Sequence, residues 1–481
     1  MKRIGVGGVW SFGACCLAGC LTVGPDYEAP RVTTPTRWQA AAGEASEPEA
    51  LAAWWQVFDD PDLTGLVTAT REQNRSLAAA VGRFDGYLAA YGIARAGFYP
   101  AVSAQAGVAW DRRSERVHVP LAFESTDNPG WLYQGGFTMT WELDLWGRVR
   151  RGREAARGEM QAALEDVRHL LVMLQAQVAA EYILLRTAQQ QLAYAEQNLA
   201  LQAETLEMTR ERFEAGLTGE LDVHQAKLNL AATTAQTPRI RARITEALNA
   251  LCLLTGNLPG AHDHLLTPGP VPQAAAPPAL LPAELLRRRP DIRAAERNLA
   301  AQTARIGVAR ADYYPLLTLN GAFAVASTYS AEVFRPAALN YNLGPSLSWS
   351  IFNAGRVRNR VRAEEAATRA TLAQYEQTVL AAYRECENAL AAHQREAERL
   401  EALQAAVAAA DQSVTLVNEL YRSGLTDFQN VLDMQRQLAA HQDALAQSQG
   451  QLAAQWVAVY KAFGGGWSPA ATGSHPAPET P

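Results

Sequence analysis

The ten residues WELDLWGRVR at positions 141–150 recur as WSIFNAGRVR at positions 349–358, an offset of 208. At the same offset, RFEAGLT at 212–218 is matched by LYRSGLT at 420–426. Repetition over so long a period predicts that the chain is an internal duplication, in which two halves share one structural plan.

Each half begins with a helical segment that ends at a Tyr-Pro pair, at Pro100 and at Pro315. Proline disfavours the helical conformation in the residue before it, so helices are predicted over about 62–97 and 289–312. The sequence then predicts two strands and a long helical hairpin in each half. The predicted organisation is a signal peptide at 1–19, a lipid-anchored N-terminal segment at 20–61, a first repeat at 62–257, a Pro/Ala-rich linker at 258–288, a second repeat at 289–463 and a disordered tail at 464–481.

Two strand-like segments of about ten residues follow each Tyr-Pro pair. This length and an alternation of apolar with polar residues fit strands with lipid on one side and water on the other, and they equally fit an ordinary half-buried sheet. If the strands cross a membrane, four of them cannot close a barrel, and open edges cannot persist in lipid. Several chains would then share one barrel, and three would give twelve strands. The clearest alternation is at Phe137, Met139, Trp141 and Leu143, and at Leu343, Leu347, Trp349 and Ile351.

Residues at every seventh position, all but one of them apolar or weakly polar, follow the strands in each half. Such a repeat keeps one face of a helix against a partner and predicts left-handed supercoiling. Each predicted long helix ends at Gly216 or Gly424, because glycine can adopt the left-handed conformation that terminates a helix. A second helix follows each of these glycines. The predicted class is therefore α+β, mostly α, with two coiled-coil hairpins and four strands per chain. The seam positions are Leu164, Leu171, Val178, Leu185, Leu192, Leu199, Leu206 and Phe213, then Leu372, Val379, Cys386, His393, Leu400, Val407, Val414 and Tyr421.

The first twenty residues predict an export signal. Basic residues at 2 and 3 precede an apolar stretch from 4 to 18, and small residues lead to Cys20 in the sequence LAGC. This pattern predicts a secretory signal peptide. A cysteine directly after the small residues resembles the lipobox of bacterial lipoproteins, which makes Cys20 the predicted lipidation site. The alternative is a signal peptide that merely contains cysteines, since Cys15 and Cys16 also lie there.

Composition and motifs exclude several classes of protein. Of the 481 residues, 48% are hydrophobic and 19% charged, unlike a disordered chain, and the formal charge of −6 gives no support to nucleic-acid binding. The sequence shows no nucleophile elbow, metalloprotease motif or glycine-rich phosphate loop, and Cys252 and Cys386 form no metal or disulfide pattern. The prediction is a protein that is not an enzyme and holds no metal or cofactor besides a covalent lipid on Cys20.

Together these motifs resemble those of the TolC family of outer-membrane factors, most closely its lipoprotein members, the NodT/OprM-like branch of RND efflux systems. The resemblance implies a homotrimer whose twelve-stranded barrel crosses the outer membrane and continues as a helical tunnel into the periplasm. It places 20–61 in an equatorial belt around that tunnel. The match runs from Cys20 to about Phe463 and rests on VGPDY at 23–27, tryptophans at 54 and 55, WELDLWGR at 141–148, RRPDI at 288–292 and IFNAGR at 351–356.

The function implied by this resemblance is a passive duct that exports drugs or other small toxic compounds. It would work with a periplasmic adaptor (membrane fusion) protein and an inner-membrane RND pump, and it would be lipid-anchored in the outer membrane. The alternatives are an outer-membrane channel for protein secretion and a coiled-coil lipoprotein scaffold without a pore. Amphipathic strands of about ten residues favour a pore over a scaffold.

By the same resemblance, the ends of the hairpins are the functional surfaces. They match the adaptor-contacting turns of the family, and the alternative is that they serve only as turns. The residues concerned are Gly216, Leu217, Gly424 and Leu425.

A periplasmic gate is predicted on the second hairpin. Asp433 and Arg436 match a constriction motif of the family, with Tyr421 and Arg422 nearby. Their three-residue spacing lets a salt bridge form along one helix face. An exposed pair of this kind is usually worth under about 1 kcal/mol, so a solvated face without a gating role is the alternative.

Arginines cluster where each long helix is predicted to begin. Positive charge at a helix N-terminus is mildly unfavourable, so some other interaction is expected there. Binding of lipid phosphates at the inner leaflet and pairing with an adaptor or another helix are both open interpretations. The clusters are Arg148, Arg150, Arg151 and Arg153 in the first half and Arg356, Arg358, Arg360 and Arg362 in the second.

Overall fold

A computed structural model of the protein describes residues 22–32, 35, 37–39, 51–112, 129–273 and 288–468. The chain packs as two units, and each half of the sequence contributes to both. The first, called the sheet unit, takes the described residues within 22–30, 84–163 and 295–375. The second, called the helical unit, takes the described residues within 31–83, 164–294 and 376–468.

The first half folds into helices and strands in the predicted order. Its elements are α1 (Pro61–Gln73), α2 (Arg75–Ala96), β1 (Ala101–Asp111), β2 (Gly130–Glu142), α3 (Arg148–Glu214) and α4 (Glu220–Leu254). The single helix predicted over 62–97 is wrong, because Asn74 has extended backbone and divides it into α1 and α2. The Asn74 side chain accepts a hydrogen bond from the Leu77 N–H at 2.9 Å, which caps the first turn of α2.

The second half repeats these elements, and the predicted duplication is confirmed. Its elements are α5 (Pro290–Ala311), β3 (Leu316–Ser327), β4 (Leu339–Ser348), α6 (Arg356–Arg422) and α7 (Phe428–Ala462). Helices α3 and α6 have 67 residues each, α4 and α7 have 35 each, and α2 and α5 have 22 each.

Matched hydrogen bonds tie the strands to the Tyr-Pro turns. The indole of Trp141 donates to the carbonyl of Phe98 at 3.0 Å, and that of Trp349 donates to the carbonyl of Tyr313 at 3.0 Å. Each acceptor lies two residues before its proline. The repeated tryptophan therefore has the same structural role in both halves.

The four predicted strands form one antiparallel sheet in the order β1-β2-β3-β4, as expected. The pairing of β2 with β3 joins the two halves, with Phe137 opposite Phe323. Within one chain the sheet is open, so β1 and β4 each have an edge that the other strands do not pair.

The seven-residue seam of the long helices is the inner face of the hairpins. Every seam residue is buried or half-buried except Phe213, which is 42% exposed. Burial lowers the pKa of His393, which favours the neutral form of this polar seam residue. One 18-residue stretch of α3 has the length and composition of a membrane span, but 61% of it is buried inside the protein, as in an ordinary core helix.

Aromatic residues from the beginning and end of the chain pack together in the helical unit. Trp54 lies in a 3₁₀ turn (Trp54–Phe58) and stacks on Tyr460 with ring centroids 5.7 Å apart. Phe58 packs edge-on against Trp456 at 4.9 Å. This aromatic cluster, Trp54, Phe58, Trp456 and Tyr460, forms part of the buried core of the unit.

The disordered tail predicted from residue 464 is wrong for residues 464–467, and its positions from 469 onward lie outside the described residues. Residues 464–467 are buried, and Trp467 lies beside the guanidinium groups of Arg168 and Arg293, 4.8 and 5.3 Å from the ring centroid. A tryptophan face stabilises such cations and covers a large apolar area. Composition alone did not reveal this contact, because the partners are distant in sequence.

Candidate functional site

The strand register gives the sheet one apolar face. Residues directly opposite one another share a face, and alternate residues along a strand point the same way. The row Val102, Met139, Gly321, Leu343 and the row Ala104, Phe137, Phe323, Tyr341 therefore lie side by side. Phe137, Phe323, Tyr341 and Leu343 are all exposed in the single chain. An apolar surface of this kind is what a sheet presents to lipid.

The opposite face of the sheet is polar or small. The row Ser103, Thr138, Ala322, Asn342 lies next to the row Ala101, Thr140, Asn320, Gly344. Uncharged hydroxyl and amide groups suit contact with water. The predicted alternation is confirmed by the pairing, which places matching residues of all four strands on the same side.

Aromatic residues mark both ends of the apolar face. Trp110 and Trp131 are cross-strand partners, packed edge to face with centroids 5.1 Å apart. Trp141 and Trp349 lie at the opposite end, near the Tyr-Pro turns. Trp131 and Trp141 are ten positions apart, or about 33 Å along the strand, which a tilt of about 40° reduces to roughly 25 Å. That height matches the apolar band of an outer-membrane barrel.

Both hairpin ends have the same backbone. Gly216 and Gly424 have φ of +75° and +72°, in the left-handed region that glycine tolerates. The N–H of Leu217 donates to the Arg212 carbonyl at 2.9 Å, and the N–H of Leu425 donates to the Leu420 carbonyl at 2.9 Å. These are Schellman motifs, which satisfy helix C-terminal carbonyls. They leave both leucines exposed at the tips.

Just above the tips, the two hairpins share one apolar cluster. Tyr421 is 3% exposed within it and packs against Phe428 with ring centroids 5.4 Å apart. Both hairpins contribute, so the cluster joins them within one chain. Its buried members are Leu206, Val223, Ala226, Val417, Tyr421, Phe428, Val431 and Leu432.

Arg212 is a contact residue that sequence reasoning missed. Its guanidinium lies 4.7 Å from the ring centroid of Tyr421 and donates to the carbonyl of Arg422 at 3.0 Å, near the end of α6. Arg422 in turn pairs with Glu204 at 2.7 Å. A cation near a helix C-terminus is favourable. The available signal was the mismatch between Arg212 and its repeat counterpart, Leu420.

Asp433 and Arg436 both lie on α7 but form no salt bridge with each other. Asp433 accepts a hydrogen bond from Gln429 at 3.0 Å, and Arg436 donates to the side chain of Asn229 at 3.4 Å. No ion pair links the two in the described part of the chain. The expected intrahelical salt bridge does not form, because each group has another polar partner. Arg436 remains exposed.

The predicted lipidation site, Cys20, lies outside the described residues, but the segment that follows it is described. The N–H of Val23 donates to the Trp146 carbonyl at 3.0 Å, and the buried Arg151 pairs with Asp26 at 2.6 Å. Gly24 lies against Gly307 so closely that a Cβ there would clash with backbone. These contacts fix the N-terminal segment beside the start of α3, in the sheet unit.

The described residues contain neither a group placed to bind a metal ion nor a reactive thiol. Within them, no group of three or more His, Cys, Asp or Glu side chains is placed to hold a metal ion. Cys252 and Cys386 are buried and unbridged. Burial raises the pKa of Cys386 to about 12, and its thiol donates to the carbonyl of Ala462 at 3.3 Å. A thiol in this state is a packing residue rather than a nucleophile.

Comparison with solved structures matches this architecture along nearly the full chain. The outer-membrane channel OprN is 36% identical, with a TM-score of 0.86 over 93% of this chain and 99% of that one. The open state of the Neisseria gonorrhoeae MtrE outer membrane channel is 28% identical, with a TM-score of 0.82 over 93% and 98%.

Sequence comparison gives the same result. The solvent efflux pump outer membrane protein SrpC of Pseudomonas putida is 33% identical over 465 residues, 95% of this chain and 97% of the relative. The family model described as outer membrane efflux protein matches residues 66–257 and 281–465, which are most of both repeats. These matches confirm the predicted resemblance, and the chain belongs to the outer membrane efflux protein family, as an outer-membrane efflux channel protein.

Proposed function

We propose that three copies of this chain form a passive duct through the outer membrane, the outer component of a tripartite RND-type efflux system. The open, two-faced sheet carries this proposal. Its apolar face suits lipid and its polar face suits a water-filled lumen. Unpaired strand edges cost several kcal/mol per group in lipid, so β1 and β4 need strands of other copies. Three copies supply twelve strands, which is within the range of outer-membrane barrels.

The duct exports drugs or other small toxic compounds. Support comes from relatives whose names state efflux of solvents, toluene and antibiotics. In this proposal the chain performs no catalysis and requires no cofactor, because an inner-membrane pump supplies the energy and selects the substrate. A periplasmic adaptor protein connects the pump to the duct.

The adaptor contacts the hairpin tips. Leu217 and Leu425 are exposed there, on rigid turns set by Gly216 and Gly424. Two apolar side chains on well-defined turns make a small docking surface that three copies would repeat around the end of the duct. Such repetition favours binding to several adaptor copies.

Asp433 and Arg436 form the periplasmic gate, with Tyr421 and Arg422 behind them. Arg436 is exposed and Asp433 is half-exposed, so both are accessible to another copy of the chain. Tyr421 acts from within the apolar cluster and holds the hairpins together, while Arg422 and Glu204 link them at the surface.

Cys20 carries the lipid anchor. Thr22, two residues later, contacts Gly147 where the sheet leads into α3. Two residues span at most about 7 Å, so an acyl chain on Cys20 would start close to the periplasmic rim of the sheet. That is the level at which the inner leaflet begins if the sheet crosses the outer membrane.

The test is conductance of the purified lipoprotein in a planar lipid bilayer, with its mass in detergent measured by light scattering. We expect a trimeric mass and discrete channel openings, larger after Asp433 and Arg436 are replaced. A trimer that gives no openings even after both replacements would contradict the duct and favour a coiled-coil scaffold.

A further inference from the structure

Arginines at the start of the long helices have partners in the first half of the chain. Arg148 pairs with Glu142, and Arg150 pairs with Asp144 at 3.2 Å. Asp144 also accepts hydrogen bonds from the N–H groups of Val149 and Arg150, at 3.1 and 2.9 Å. Local carboxylates therefore account for this cluster without any outside ligand.

The second half keeps the arginines and loses the carboxylates. Arg356 and Arg358 are the counterparts of Arg148 and Arg150, but Ser350 and Phe352 stand where Glu142 and Asp144 stand in the first half. Both arginines are exposed. No carboxylate of the described residues lies within ion-pair distance of either one.

Beside these arginines lies an exposed apolar segment. Ile351 is 83% exposed and Phe352 is 88% exposed. They lie three and four residues after the end of β4, and four to seven residues before the two arginines. Trp349 and Leu347, which precede them, are exposed too and continue the apolar face of the sheet. Apolar side chains next to unneutralised cations are the composition of a protein surface at a membrane interface.

We propose that Arg356 and Arg358 bind the phosphates of anionic phospholipids in the inner leaflet of the outer membrane. Ile351 and Phe352 then lie at the boundary between the acyl chains and the phosphates. A guanidinium can hold two phosphate oxygens at once, which suits arginine to this task. The proposal rests on the proposed function in one respect, that the sheet crosses the membrane.

The test compares two matched double variants of the full lipoprotein in detergent, R356Q/R358Q and R148Q/R150Q. Thermal unfolding is followed while phosphatidylglycerol, or phosphatidylcholine with the same acyl chains, is added. We expect phosphatidylglycerol to raise Tm in the wild type and phosphatidylcholine to do much less. One arginine near an anionic lipid surface is worth a factor of about five in affinity, so R356Q/R358Q should require about 25-fold more phosphatidylglycerol for half its effect.

The matched control separates lipid binding from general stability. R148Q/R150Q should start from a lower Tm, because it breaks ion pairs inside the chain, and should keep the wild-type response to phosphatidylglycerol. An unchanged response in R356Q/R358Q would overturn the proposal.

Two further outcomes would also overturn it. An equal Tm increase with inorganic phosphate would indicate a site for a soluble anion. Dissociation of R356Q/R358Q into monomers, with no lipid added, would show that the arginines pair with another copy of the chain. Conductance of wild type is measured in parallel, so loss of the lipid effect in a conducting channel is distinguishable from failure of the duct itself.

Discussion

The two halves of the chain share a backbone and differ in the chemistry placed on it. Three pairs of glycines 208 residues apart have closely matched positive φ angles: Gly147 and Gly355, Gly216 and Gly424, and Gly256 and Gly464. Long helices of equal length begin and end at corresponding residues. The ends of the long helices are therefore fixed at corresponding residues in both halves.

Side chains at corresponding positions have diverged. Phe213 is exposed where Tyr421 is buried, and Leu228 is exposed where Arg436 makes polar contact. The two repeats of a duplicated chain can therefore keep the same backbone and still have separate roles, because their side chains can change independently. Exchanging or removing matched residues tests which differences matter.

The largest effect is expected at Arg289, whose counterpart is Asn74. Asn74 donates to the carbonyl of Leu254 at 2.8 Å, and Arg289 donates to the matching carbonyl of Ala462 at 2.7 Å. Arg289 also pairs with Asp291 and Glu385, at 2.7 and 2.8 Å. R289Q leaves Asp291 without its ion-pair partner and Glu385 with Lys461 alone, and should cost about 3–5 kcal/mol.

N74A loses a hydrogen bond and a helix cap, for about 1–2 kcal/mol. Urea unfolding of both variants in detergent gives the two values. Equal losses would mean that the charges on Arg289, Asp291 and Glu385 add nothing to the shared hydrogen bond.

A second comparison concerns Tyr421 and Phe213, which occupy the same seam position. Y421A opens a cavity in the apolar cluster and should destabilise the hairpins by about 3 kcal/mol, whereas F213A should cost under about 1 kcal/mol. The Tyr421 hydroxyl is buried with no hydrogen-bond partner among the described residues, so Y421F should be neutral or slightly stabilising. Hydrogen exchange of the hairpin amides measures these differences. A large loss in Y421F would show that the hydroxyl has a partner in the assembly.

Low pH should destabilise the helical unit through the carboxylates of Asp291 and Glu385. Burial by itself would raise the pKa of Asp291 and of Glu385, but hydrogen bonding and the charge of Arg289 outweigh it and lower both. Groups with a lowered folded pKa stabilise the fold above their unfolded values of about 4, and this contribution disappears as the pH falls through the folded values. Tm measured from pH 6 to 3 should fall less steeply in R289Q than in wild type. Parallel slopes would exclude this linkage.

The proposed gate is tested by comparing its charged residues with the corresponding residues of the first hairpin. D433N/R436Q should raise single-channel conductance several-fold, because it removes the charged groups proposed to hold the helices inward. The corresponding positions of the first hairpin are Gln225 and Leu228, and Q225N/L228Q should leave conductance unchanged. If both variants raise conductance equally, loosened packing rather than the charged pair controls the opening.

The smallest effect on stability is expected at the tips. L217A and L425A replace exposed side chains and should change the free energy of unfolding by no more than about 0.5 kcal/mol. Both should weaken binding of the cognate adaptor, measured by site-specific crosslinking in cells. Wild-type crosslinking in both variants would leave Leu217 and Leu425 as turn residues only.

Sequence reasoning was most successful where the determinants are local. Proline at 100 and 315 and glycine at 216 and 424 set chain reversals by their own conformational preferences, and the seven-residue seam repeats along one helix. It failed at Asn74, where a helix cap interrupts an otherwise helical sequence. The signal in the sequence is Asn74 itself, because an asparagine side chain can cap a helix by accepting a hydrogen bond from the backbone N–H three residues later, here that of Leu77.

The contacts of the candidate site could not be predicted in the same way. Arg212 meets Tyr421 across more than two hundred residues, and no local pattern specifies that pair. Asp433 and Arg436 have a spacing that permits an ion pair, but Gln429 and Asn229 compete for them. The spacing of residues along a helix shows which contacts are possible, whereas tertiary packing determines which of them form.

The aromatic cluster has a consequence for the order of folding. Trp54 and Phe58 are made about 400 residues before their partners Trp456 and Tyr460. The aromatic cluster therefore cannot close until α7 has been made and exported. A chain whose export has not reached α7 therefore leaves Trp54 and Phe58 without the two aromatic partners that bury them in the native fold.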